Sequence, residues 1–429
     1  MAVLLMPIVN GLALAAISGR LDEPTAKHGK DAVSVRDGNG THGEADRCGF
    51  SLGDAVAIRD RRGRALVVDE PQVVAAAGEL FVIGSTFGNA PTGGPGDKLV
   101  SPVGVRVRDF VAAPLPAPEW LAARPVRPAG AALGGVLALV WADSGTAPSP
   151  KTGLRRLWTA TYGARRGWSR PTLLMAGDRL SWSRDRRRPI FSLQPGLAIV
   201  VSGYDSTATR FGAIALNVRG EWSMSTTSGL VNWIDPHVWR RPGGAIHIAM
   251  SEFPHRDHAR QETPVVHLGV IDERANLQRL EARPEMDSLV GGDGDVLLGA
   301  SSRGRARLTW IVRGESADFI AQSTVTADPA QWEQAQRSAA AGRIESLNLL
   351  YVGVDTLLAV GLVWKGGPDW RIGLLAAARG ALVQCEIPAA RSMGWLSADR
   401  ARQATWIAWT GADSENRGVF TFLLRGALK

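Results

Sequence analysis

Two groups of side chains in this sequence have the types and spacing to do chemistry. The first lies between residues 235 and 267, where five of the seven histidines fall. His255-Arg256-Asp257-His258 forms a polar run there, with Asp235 and His237 upstream. Two imidazoles beside carboxylates can ligate a divalent metal, which makes His255 and His258 the metal candidates. The same groups can move protons as an acid–base pair. They also suit an ordinary solvated loop, and the sequence leaves these alternatives open. His247 and His267 sit inside apolar runs and are expected to be packed or paired. Asp205, Asp235 and Asp257 are the candidate catalytic carboxylates, since glycoside hydrolysis needs two acids whose separation sets the stereochemical outcome.

The second group is Trp364 and Trp370, separated by Lys365-Gly366-Gly367-Pro368-Asp369. An indole stacks on the apolar face of a sugar ring while Asp and Arg take its hydroxyls. Trp364, Asp369, Trp370, Arg186, Arg188 and His237 are therefore the candidate ligand-binding residues, with Asp287 beside them. The competing reading is that both indoles pack in the core. Phosphate-cradling loops, cysteine-based zinc spacings and Gly-x-Ser-x-Gly elbows are absent from the sequence, and no cofactor is expected.

The charge balance narrows the partners. The net charge is +8, yet no basic run exceeds Arg186-Arg187-Arg188. Scattered arginine reads as a solvated positive surface, so no nucleic-acid partner is expected. Met1–Ser18 is apolar but lacks a basic start and is broken by Asn10-Gly11. It reads either as a secretion signal or as an element packed on the domain, and it is too short for a membrane span. The expected location is extracellular or periplasmic, and otherwise cytoplasmic. Cys48 and Cys385 either pair in an oxidising compartment or are unrelated small residues.

These candidates need elements to hold them, and the elements read as strands. Gly135–Trp141 is a short run of strand formers closed by Ala142-Asp143-Ser144-Gly145. Arg156–Tyr162 alternates as a strand does, Ala164–Gly167 turns, and Trp168–Leu174 forms an outer strand in which Pro171 suits an edge. Gly220-Glu221-Trp222-Ser223 echoes Gly167-Trp168-Ser169 one unit later. Units of this build start near 72, 128, 188, 234, 287, 343 and 394, a period of about 50. Fifteen Trp against three Tyr fits packed sheet faces. One sheet cannot bury both its faces, and stacking repeats in a ring solves that. The expected fold is all-β, a β-propeller of six or seven four-stranded blades. The seventh unit is a strand short, so an N-terminal strand, Ala65–Val68 or Ala55–Ile58, should close the ring. Residues 1–47 are expected to be an apolar segment and linker, and 48–429 the propeller. Candidate residues on loops between second and third strands, or between consecutive units, would then share one mouth.

The runs Leu139-Val140-Trp141 with Gly167-Trp168-Ser169-Arg170-Pro171, Ile199–Ser202 with Gly220–Ser223, and Asp235–Val238 with Gly244–Ser251 resemble blades of sialidase-like propellers. The resemblance implies the fold and a polar-ligand site at the central mouth. The Ser-x-Asp-x-Gly-x-x-Trp turn and the Arg-Ile-Pro segment of that group do not occur, so no catalytic residue is carried over. A carbohydrate or similar small polar ligand is the expected partner. A glycoside hydrolase or lyase, and a protein-interaction scaffold, are the alternatives.

Overall fold

In the computed structural model the chain divides into two compact units, Met1–Val33 and Ser34–Lys429. The structure describes residues 50–428 except 53–54, 64–65, 77, 89–98, 109–110, 116–125, 144–153, 182–189, 194–195, 205–209, 219, 229–232, 241–244, 253–264, 281–295, 301–305, 313–317, 326–335, 340–342, 352–356, 365–369, 379–380, 402–403 and 413–418. All described regular structure is β; no helix occurs among the described residues.

Strands β1 (Phe50–Leu52), β2 (Val56–Ala57) and β3 (Arg59–Asp60) open the described chain. The first antiparallel meander is β4 (Val68–Ala76), β5 (Glu79–Gly88), β6 (Leu99–Arg108) and β7 (Val111–Pro114). The second is β8 (Val126–Leu133), β9 (Val136–Asp143), β10 (Leu154–Gly163) and β12 (Thr172–Ser181), with the short β11 (Gly167–Trp168) also on β10. The third is β13 (Ile190–Ser192), β14 (Leu197–Tyr204), β15 (Arg210–Val218) and β16 (Glu221–Ser228). The fourth is β17 (Trp233–Arg240), β18 (Ile246–Glu252), β19 (Val265–Ile271) and β20 (Leu277–Leu280). The fifth is β21 (Val296–Ala300), β22 (Ala306–Val312), β23 (Phe319–Val325) and β24 (Gln336–Ala339). The last sheet joins β25 (Arg343–Tyr351), β26 (Leu357–Trp364), β27 (Trp370–Ala378), β28 (Ala381–Ala401), β29 (Ala404–Ala412) and β30 (Val419–Leu428). Within it, the first part of β28 pairs with β27, and the part after Ser392 pairs with β29.

The strand starts at 126, 190, 233 and 343 lie within two residues of the expected unit starts. The fifth unit opens later, at Val296, and its β24 has a sequence, Gln-Arg-Ser-Ala, with no apolar signal. The N-terminal segment differs in detail from expectation. β1 and β2 both pair with β30, in the registers Ser51↔Ala427 and Val56↔Leu423. Ala55–Ile58 therefore supplies an added strand, whereas Val68 begins β4. Between them the chain turns, with Gly63 N–H donating to Asp60 O at 2.9 Å and Leu66 N–H to Ile58 O at 3.0 Å. Pro171 is not in a strand; it stands between β11 and β12. Cys385 pairs in register with Leu374, while Cys48 lies outside the described residues.

Burial explains why the strands read as continuous apolar runs. In β9, Leu137, Leu139 and Trp141 pack with Val74, Phe81 and Ile83 of the preceding meander. The alternate residues Ala138 and Val140 pack with Leu197, Ile199 and Val201 of the next. Ala198 and Val200 on the other side of β14 meet Val238, Ile246, Ile248 and Met250. Leu80 and Val82 of β5 meet Ala408, with Trp406 beside them, so the last sheet packs on the first. A strand buried on both faces needs no polar alternation. Each such Leu, Ile or Val contributes about 1.5–3 kcal/mol. Trp141, Trp310 and Trp409 are core residues, as expected of Trp in packed sheet faces.

Candidate functional site

The first strands of successive meanders touch one another in a cycle. β4 contacts β8, β8 contacts β13, β13 contacts β17, β17 contacts β21, β21 contacts β25, β25 contacts β28, and β28 contacts β4. Side-chain bonds fix the level at which neighbours meet. Gln72 of β4 donates through Nε2 to the Gly130 carbonyl of β8 and accepts from Gly130 N–H through Oε1 at 2.7 Å. Thr410 Oγ1 of β29 donates to Val68 O of β4 at 2.6 Å. Gly130 packs closely there: an added Cβ would lie 3.1 Å from Ile83 and 3.3 Å from Leu137 and Val74, and those side chains would have to give by a few tenths of an ångström.

Near the start of four of these seven strands, and past the middle of β28, the register slips, whereas β13 and β21 keep theirs. In β4 the slip lies between Asp69 and Gln72, in β8 between Val126 and Ala129, in β17 between Ile234 and His237, and in β25 between Ile344 and Ser346. β28 slips between Ser392 and Leu396. The intervening residues are Glu70-Pro71, Arg127-Pro128, Asp235-Pro236 and Glu345. Bulges of one extra residue bend a strand and re-aim side chains, and they recur beside active sites. Proline is admitted at such places because it removes a ladder donor. Sequence reasoning singled out Asp235 but missed Glu70, Arg127 and Glu345. For Glu70 and Arg127 the readable signal was a charged residue before proline, as at Asp235-Pro236, whereas Glu345 precedes Ser346.

Among the described candidates, Asp235, His237, Trp364 and Trp370 stand at the end of the sheets that carries these bulges. Second strands end there and third strands start there. Trp364 closes β26 and Trp370 opens β27, and the two are register partners. Asp235 lies within the β17 slip, opposite the last residues of β18. Asp205, His255, Asp257, His258 and Asp369, which follow the second strands in the chain, lie outside the described residues. Arg186 and Arg188, between β12 and β13, and Asp287, between β20 and β21, lie outside them too.

Two of the histidine side chains are described in the fourth meander. His237, half-buried, follows the β17 slip, while His247 opens β18 at the opposite end of the sheet. His247 stacks on Trp239 with ring centroids 5.7 Å apart, which is the packed role expected of it. Among the described residues no group of three His, Cys, Asp or Glu is placed to hold a metal. Tyr162 is a core residue, edge-on to Phe81 at 6.2 Å and tilted against Trp168 at 5.2 Å.

Away from this end, the described titrating group with a clear shift is Asp272, in the turn before β20. Its carboxylate accepts from Asn276 Nδ2 at 3.0 Å and from the Asn276 and Arg274 N–H groups at 2.8 Å each. These bonds favour the ionised form, the Asn276 side chain most, and hold its pKa below the ordinary value. That turn also carries Ala275 at φ 66°, whose carbonyl accepts from Ser225 Oγ of the neighbouring meander at 2.7 Å.

No family model matches the chain, and no curated protein matches it in sequence. Solved structures do. The chain is similar to a protein of unknown function from Dyadobacter fermentans, at 11% identity and a TM-score of 0.49, covering 89% of this chain and 100% of that one. It is similar to the Trypanosoma rangeli sialidase in complex with 2,3-difluorosialic acid, at 11% identity and a TM-score of 0.41, covering 89% of this chain and 58% of the sialidase. It is also similar to the β-propeller domain of the trilobed protease from Pyrococcus furiosus, at 8% identity and a TM-score of 0.46, covering 85% and 98%. The likeness to sialidases and propellers is one of fold. The chain thus spans little more than half of the sialidase it matches.

Proposed function

We propose that residues 48–429 form a seven-bladed propeller, its last blade completed by β1 and β2, and that its bulged end is a mouth binding a carbohydrate or similar small polar ligand. The observation that carries this reading is the cycle of contacts among first strands, with register slips at one common end. A ring of sheets leaves the loops of that end around a shared axis, where several units can reach one ligand. The paired ends of β26 and β27 supply two tryptophans to that end, and Asp235 and His237 supply polar groups beside a bulge. Indole faces with flanking acids and bases are the usual surface for sugar rings.

The test is binding to a glycan array together with hydrolysis and elimination assays on chromogenic glycosides. Binding without turnover is expected. Turnover lost in Asp205→Asn, Asp235→Asn or Asp257→Asn would replace this reading with a glycoside hydrolase or lyase. Flat results in both assays would leave a protein-interaction scaffold.

A further inference from the structure

The outer strand of the third meander is open in a way that the other outer strands are not. β16 runs eight residues in unbroken register with β15, and among the described residues no strand pairs with its other side. An unpaired edge presents a row of backbone donors and acceptors to any added strand. The other outer strands are short, bulged or covered. β20 and β24 have four residues each and carry Arg279 and Arg337. β7 has four, ends on Pro114 and is flanked by β3. β30 is flanked by β1 and β2. β12 bulges at Leu174 and goes on to pair with β14. β28 slips after Ile387, carries Pro388 and passes on to β29. β16 has no proline, no bulge and no basic residue, and its sole charge, Glu221, stands at its first position.

Trp222, Met224 and Thr226 share one face of β16. Met224 is 46% exposed, Thr226 is exposed, and Trp222 is half-buried against the core between the second and third meanders. From this we propose that β16 is the docking edge for a second copy of this chain, paired antiparallel about a two-fold axis at Met224. The occupant follows from the strand's own sequence. The axis sets Met224 against its own copy, Ser223 against Ser225, and Trp222 against Thr226, an aromatic and β-branched cross-strand pair. Glu221 falls opposite Thr227, which leaves it about 20 Å from its own copy, beyond the range of charge repulsion in physiological salt. Arg219 precedes the strand on the same side of the axis. The neighbouring turn, tied to β16 by Ser225 Oγ donating to Ala275 O at 2.7 Å, exposes both signs of charge, Asp272 and Glu273 with Arg274. The two copies therefore meet without a block of like charge. Antiparallel pairing reverses the strand direction, so the bulged ends of the two copies face opposite ways. This surface lies apart from the mouth and does not depend on what the mouth binds.

An eight-residue edge makes a contact of the weak, transient class, below about 1,200 Å². The experiment is sedimentation velocity of the full chain from about 1 μM to about 1 mM in physiological salt, with hydrogen exchange followed across β16 at both ends of that range. The sedimentation coefficient should rise from monomer to dimer with a midpoint near about 0.1 mM. The β16 amides should gain protection at the high end. Met224→Lys sets two ammonium groups on the axis and should weaken the dimer by about tenfold or more. Leu173→Lys alters β12, where Leu173 is 48% exposed, and should leave the dimer within about twofold. Thermal melting shows that each variant is folded, and the exchange measurement on wild type needs no variant. A monomer throughout, or a dimer whose β16 amides exchange as in the monomer, would overturn the proposal. Equal weakening by both variants would overturn it too, since the contact would then be general apolar association.

Discussion

Single residues at the junctions between sheets carry tasks that their types explain. Gln72 is buried, and its amide serves both the donor and the acceptor of Gly130. Truncation in Gln72→Ala should leave those backbone groups unpaired and lower stability by about 2 kcal/mol, read as a shifted urea midpoint. Thr410→Val keeps the shape and loses one hydroxyl, so about 1 kcal/mol is expected there. A Gln72→Ala protein as stable as wild type would refute the clamp. At Asp272 the sign follows from the lowered pKa. The carboxylate's contribution is complete above the ordinary value of 3.8 and is lost as pH falls through the lower folded value. The protection factor of the Asn276 amide, its rate taken relative to an unfolded amide at the same pH, should therefore fall below about pH 4 in wild type, and Asp272→Ala should show low protection already at neutral pH. Protection in wild type that ignores acid would contradict the assigned cause.

Strands are where the N-terminal segment earns its role. β1 and β2 cover part of β30, which would otherwise present an open edge. Open edges recruit other chains. A protein starting at residue 48 keeps both strands, and one starting at residue 58 lacks them. The first should melt as the full chain does, and the second should melt several degrees lower and aggregate on heating. Equal melting of the two truncations would remove β1 and β2 from any part in closure. The bulged first strands show a second element-scale rule. Each carries one extra residue against its partner strand, the count that defines a bulge.

Across the whole molecule, buried clusters join the first meander to the second, the second to the third, the third to the fourth, and the first to the last sheet through Ala408 beside Leu80 and Val82. Thermal unfolding followed by tryptophan fluorescence and by far-ultraviolet circular dichroism should give coincident transitions. Two separated transitions would speak for independent sheets. The strand runs, their spacing and the missing last strand were legible in the sequence, because continuous apolar runs between turn residues have few other solutions. β24 was not, since an outer strand needs backbone partners more than apolar side chains. Asp235 was visible beside its histidine, but Glu70, Arg127 and Glu345, far apart in the chain, were not singled out. Hydrophobic periodicity is local, so it determined that the described chain is β and where most of its strands fall. Which strand touches which, and where the register slips, depend on packing between distant segments, and only the tertiary structure decided them.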